Sequence, residues 1–163
     1  MAIIQWLLIV IVVLAAALII AGQAGLLRGT APADLGVVDG KLKRPSKTEN
    51  SVTSQADLWS DHPQRTYARI EPFKYQGDGR AALQKIADIL RSMERTQIVE
   101  QNPTYVYAQA TTALLKFTDD VEFTLDEAAG VIHVRSASRI GRKDLNVNRQ
   151  RVEAIRARFN AAQ

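Results

Sequence analysis

The sequence predicts an α+β protein: an N-terminal transmembrane helix, then a small antiparallel sheet in the order β-α-β-β-β-α with helices packed on one face. Three observations carry that prediction. No ionisable side chain occurs between residues 1 and 27. Apolar residues recur at helical spacing over 79–95 and again at Val152, Ile155 and Phe159. Between those two helices lie successive apolar runs joined by short loops, which favour antiparallel pairing over crossovers.

The first element is the clearest. From 3 to 21 the chain is Ile, Leu, Val and Ala apart from Gln5 and Trp6. A bilayer core takes about 20 apolar residues as a helix, the form that satisfies every backbone amide internally. Trp6 suits one interface and Arg28 closes the other. Small residues at Gly22 and Ala24 would also suit a cleavage site. However, the apolar run exceeds the roughly 7–15 residues of a signal peptide core, and no Lys or Arg precedes it. The sequence therefore predicts a retained, single-pass anchor over 1–27. Arg28, Lys41, Lys43, Arg44 and Lys47 all lie after the helix, so the positive-inside rule alone would put the rest of the chain in the cytoplasm.

Residues 28–64 are punctuated by Gly29, Pro32, Gly36, Gly40, Pro45 and Pro63. Neither helix nor strand can run far there, which predicts an extended tether partly wrapped on the folded domain. Residues 65–163 make that single domain, small enough for its margin of stability to be thin. A strand is predicted over 67–73, ending near Pro72. Asp78 caps a helix over 79–95, whose stripe is Leu83, Ile86, Ala87, Leu90 and Met93. Strands come next at 97–100 and 104–112, broken by Asn102 and Pro103, then at 118–126 and 131–140 around the loop 127–130. A terminal helix follows, with Asn146 or Asn148 as its cap.

The last two strands carry the informative side chains. Alternation sends Val121, Phe123 and Leu125 to one face and Asp120, Glu122 and Thr124 to the other. With 127–130 as the loop, Asp126 faces Val131, Phe123 faces Val134, Glu122 faces Arg135 and Asp120 faces Ala137, diagonal to Arg135 and Arg139. A slip of one residue would push charges into the core. Three readings of these charges stay open. They form an ion-pair lattice, with cross-strand pairs each worth about 0.2–1 kcal/mol. Alternatively, Arg135 and Arg139 recognise a polar or anionic group with their forked donors. In the third, Asp119, Asp120 and Glu122 hold a hard cation, against repulsion from the adjacent arginines.

Composition narrows the classes. The 163 residues include no cysteine, which excludes disulfides, thiol nucleophiles and thiolate metal sites. The net charge of +4 is spread along the chain among acids, without the clustered cations and stacking aromatics of a nucleic-acid face. No phosphate loop, dinucleotide fingerprint, zinc-binding helix motif or nucleophile elbow occurs. His62 lies in the tether, His133 lies on a strand, and Ser136 and Ser138 have no base placed beside them by the sequence. No cofactor is implied.

The stretch Phe117-Thr118-Asp119-Asp120-Val121-Glu122-Phe123 is succeeded by Gly130-Val131-Ile132 and by Arg135-Ser136-Ala137-Ser138-Arg139. Gly141, Asp144, Asn148 and Arg151 come next. Together with Leu35-Gly36 and the segment 50–55, this pattern resembles the bacterial and plastid family known as domain of unknown function 1499. The resemblance runs through most of the chain after about Asp34. It implies an exported or membrane-attached protein, hence a bacterial inner membrane with the domain on the periplasmic side, against the pull of the cations after the helix. It implies no reaction. Many family members carry cysteines where this chain has Pro45 and Ser51, and Gly where it has Asn146, a residue that tolerates left-handed backbone.

The candidate site is accordingly Asp119, Asp120, Glu122, Arg135, Ser136, Ser138, Arg139, Asp144, Asn148 and Arg151. The first functional expectation is a non-enzymatic interaction or binding module, anchored to the membrane and open to a protein partner. The second is a binder of a small anionic ligand or lipid fragment. The third is a hydrolytic or metal-dependent enzyme.

Overall fold

The computed structural model describes residues 2–162. Helix α1 (Ala2–Gln23) is about 33 Å long at 1.5 Å per residue, long and apolar enough to cross a membrane. Its apolar window is not buried against the rest of the molecule, as a soluble core helix would be. Its end is attached to the domain. A Cβ on Gly22 would sit 2.6 Å from the Leu115 carbonyl oxygen, so only glycine permits that approach. Beside it the Gln23 amide donates to the Leu114 carbonyl at 2.9 Å.

The sheet comprises β1 (Ser51–Thr53), β2 (Phe73–Lys74), β3 (Thr96–Asn102), β4 (Tyr105–Thr111), β5 (Thr118–Asp126) and β6 (Val131–Ser138). Its spatial order is β1-β6-β5-β4-β3, and β2 also pairs with β6, further along the edge that β1 occupies. All these pairings are antiparallel. The β5–β6 hairpin adopts the predicted register, with Asp126 opposite Val131 and Glu122 opposite Arg135. Asp126 fixes the turn by accepting from the Ala129 amide, and Gly130 supplies the left-handed residue it needs. On the edge strand β3, a bulge at Val99 and polar neighbours discourage pairing with another chain.

Helices α3 (Gly79–Ser92) and α4 (Val147–Ala161) pack on one face of the sheet. Asp78 caps α3 through the Arg80 and Ala81 amides, and Leu83, Ile86, Ala87 and Leu90 form its buried stripe. They meet Val106, Val121, Phe123 and Val134 from the sheet and Val152, Ile155 and Phe159 from α4. Phe73 sits edge-on to both Phe123 and Phe159, with centroids 5.5 and 5.6 Å away.

Several elements differ from expectation. Residues 67–73 do not form a strand. Arg65–Ala68 is one helical turn, α2, Arg69 makes a single parallel bridge to Thr53, and Phe73–Lys74 pairs with β6. Tyr67, Ile70 and Phe73 recur every three residues rather than every two, and Pro72 has no amide to give a ladder. Strand β1 lies inside the segment the sequence assigns to a tether, where three residues are too few to display a period. Helix α3 stops at Ser92 because Met93 is extended and Arg95 is left-handed. At the start of α4, Asn146 occupies the cap position at φ 65° without a side-chain cap bond, and Asn148 lies inside the helix. The cap is Asp144, which accepts from the Asn146 and Asn148 amides at 3.0 and 3.2 Å.

Candidate functional site

Alternation along β5 and β6 divides the candidate residues between the two faces of the sheet. On the face away from α3 and α4, Glu122 meets Arg135 at 3.2 Å and also accepts from the Tyr105 hydroxyl at 2.9 Å. Asp120 receives Arg139 Nη2 at 2.6 Å and the Tyr107 hydroxyl at 2.6 Å. Tyr105 and Tyr107 reach these acids from β4, which pairs Tyr107 with Glu122. Burial, and then the neighbouring carboxylates, push both phenols above their ordinary pKa. The hydrogen bond to Asp120 holds Arg139 more firmly protonated than usual.

This charged face is covered. Residues 29–42 cross it as a strap: the Gly36 amide donates to Glu122 at 2.8 Å, the Gly29 carbonyl accepts from Arg139, and Leu35 and Leu42 pack on Tyr105 and Tyr107. Glu122 is 0 % exposed and Asp120 1 %, so neither acid reaches solvent while the strap is in place. Charges so deeply buried persist only because each is paired. One donor on this face is left over, since Arg135 Nε is buried without a partner among the described residues.

On the helix face a second network holds the remaining candidates. Asp119 takes Arg151 Nη2 at 2.6 Å. Arg151 also donates to Ser136 Oγ and Asn148 Oδ1, and Ser136 donates to Asn148 at 2.6 Å. The Asn148 amide group then reaches Ser138 Oγ, Asp144 and the Asn50 carbonyl. Tyr67 completes the set by donating to Asp144 at 2.5 Å. Burial raises the Asp144 pKa, but the donors Tyr67 and Asn148 outweigh it and hold the carboxyl below its usual 3.8. Burial and the same Asp144 bond push the Tyr67 hydroxyl up to about 12. The network ties the start of α4 to β6 and, through Asn50, to the residue before β1.

The sequence groups these residues as one cluster; the structure divides them into two, on opposite faces. Asp119 lies across the sheet from Asp120 and Glu122, so the three acids cannot share a cation. Among the described residues no group of His, Asp and Glu could hold a metal ion. Among the described residues, Ser136 and Ser138 bond to Asn148 and Arg151 and to no general base.

A family model described as Protein of unknown function (DUF1499) matches residues 41–159. The chain belongs to the DUF1499 family. No curated protein and no solved structure matches it. Both networks fall within the matched DUF1499 segment, whereas α1 and most of the strap precede it.

A third arrangement in this DUF1499 chain has no signal in the sequence. Ser54 Oγ lies 3.1 Å from His133 Nδ1, and His133 Nε2 lies 3.6 Å from Asp126, beside a cleft of about 350 Å³. The residue types are those of a nucleophile, base and orienting acid. The geometry is different. Ser54 Oγ accepts the Val134 amide at 2.9 Å, so the hydroxyl continues the β1–β6 ladder and is held in the sheet's own hydrogen bonding. Asp126 is too far from the ring to fix its tautomer by a hydrogen bond.

Proposed function

We propose that this chain is a non-enzymatic binding module held against a bilayer by α1. The carrying observation is the seam at Gly22 and Gln23, where an unburied apolar helix meets the 112–117 loop directly rather than through a slack linker. The side chains with the chemistry to react are engaged with one another, which supports binding or scaffolding over catalysis. The same engagement weighs against a ligand at Asp120, Glu122 and Arg135, because entry would require lifting the strap. We read the membrane as a bacterial inner membrane and the domain as periplasmic, as the family resemblance implies.

Full-length protein should pellet with membranes, resist an alkaline carbonate wash and enter solution only with detergent. Release by carbonate would overturn the anchored reading. Alkaline phosphatase fused after Ala162 should be active in a bacterial host, and an inactive fusion would put the domain in the cytoplasm.

A further inference from the structure

Beside the seam lies a cleft of about 480 Å³. Its charged lining is Arg28, Arg95, Lys116 and Arg139, with Thr118 and Gln109 adding neutral polar groups and no carboxylate among its walls. Two of these cations are spoken for: Arg139 is bound to Asp120, and Arg95 pairs with Glu94 outside the cleft. Arg28 and Lys116 have no acidic partner among the described residues, which leaves a local excess of positive charge.

Both free cations are placed by the helix end. Lys116 comes directly after Leu115, whose backbone touches Gly22. It stands at φ 58° in a loop clamped by Thr112 and Phe117, each bonding to the other across its base at 3.0 and 2.9 Å. Arg28 curls back toward Gly25, its Nε 3.4 Å from the point a Cβ there would occupy. Around them Leu26, Leu114 and Ile140 are exposed although apolar. An apolar rim beside unpaired cations, next to the end of α1, the helix offered to the bilayer, matches the layering of acyl chain and phosphate at a bilayer surface.

We infer that this cleft binds the phosphate of an anionic phospholipid headgroup from the bilayer that holds α1. Lys116 and Arg28 supply the charge, Thr118 stands by as a neutral donor, and Arg139, oriented by Asp120 and Tyr107, forms the back wall together with Gln109, whose amide donates to the Tyr107 hydroxyl at 2.9 Å. The inference rests on the anchored reading above and gives that module a ligand class.

Full-length protein in neutral detergent is titrated with phosphatidylglycerol or with phosphatidylcholine, and bound lipid is counted by native mass spectrometry. Phosphatidylglycerol should half-saturate at about tenfold lower concentration. Arg28→Gln with Lys116→Gln should weaken it by roughly 10- to 30-fold, as for two cations near an anionic surface. Neither side chain is tied into the fold, so thermal unfolding of that variant should not change. Lys47→Gln with Lys85→Gln, remote from the cleft, should leave the preference intact. Equal affinity for both lipids would overturn the site, as would equal loss in the remote variant. Displacement by inorganic phosphate at the lipid's own concentration would overturn the lipid in favour of a soluble anion. A parallel carbonate wash separates the two levels. Lost preference with retained pelleting overturns the site alone, and lost pelleting overturns both readings.

Discussion

Glu122 is the residue on which the charged face turns. Its carboxylate takes Arg135 on one oxygen and Tyr105 and the Gly36 amide on the other, in a place closed to bulk solvent. Glu122→Gln keeps an oxygen for Tyr105 and Gly36 but leaves Arg135 buried without a counter-charge. Breaking a buried pair in this way costs about 3–5 kcal/mol. Urea unfolding of the variant should show that loss, and an unchanged midpoint would mean that solvent reaches the arginine. The pairing itself is legible in the sequence, because a four-residue loop and a period of two leave only one register that keeps charges out of the core. Tyr105 and Tyr107 are not legible as its partners, because the longer 112–117 connection does not fix how β4 aligns with β5. The separation of Asp119 from Asp120 is implicit in alternation, but grouping them by nearness in sequence hides it. Ser54 and His133 lie 79 residues apart, and no local pattern relates them.

At the scale of the element, α4 has Asn146 at its cap position, one of the two residues the sequence offers, but takes its capping bonds from Asp144. Asn146 and Asn148 are both good cap residues by type, and the left-handed backbone at Leu145 and Asn146 is what brings Asp144 into the capping role instead. The two shifted groups at that cap give opposite pH limits. Asp144 is held below 3.8, so the folded state binds its proton less readily than the unfolded chain does. Its stabilisation is complete above that pH and is lost as pH falls through and below it. Tyr67 is raised from 10.0 to about 12, so the folded state keeps a proton that the unfolded chain has released. Its stabilisation is complete below pH 10 and lost as pH rises towards 12. Asp144→Asn should therefore flatten the acid limb of a plot of urea midpoint against pH. Tyr67→Phe should flatten the alkaline limb more than the acid one. Parallel curves for wild type and both variants would show that the cap carries no linked protons. The other elements divide by the same logic of length. The long periodic helices and the hairpin are readable, whereas β1, β2 and α2 are too short to display a period and exist because the edge of β6 and the Phe73 contacts hold them.

Across the whole molecule, the strap decides whether the charged face is interior or surface. Most of it precedes the matched segment, so a fragment 41–163 would retain both networks while losing Gly29, Leu35 and Gly36. A fragment 24–163 would keep them and lose only α1. The Gly36 amide bond to a carboxylate is of a kind worth about 1.5–3 kcal/mol, and Leu35 adds packing on the tyrosines. Against that, uncovering Glu122 and Arg135 returns part of their hydration. The shorter fragment should therefore be less stable by roughly 1–3 kcal/mol rather than by the full sum. Salt provides the sharper test. With the strap in place the pairs are buried and weakly screened, so raising ionic strength should hardly move the longer fragment. Without it, Glu122–Arg135 and Asp120–Arg139 face water and their attraction is screened, so the gap between the fragments should widen with salt. Equal stability at every ionic strength would mean that residues 29–40 merely lie on the sheet. The charged face would then be open to ligands after all.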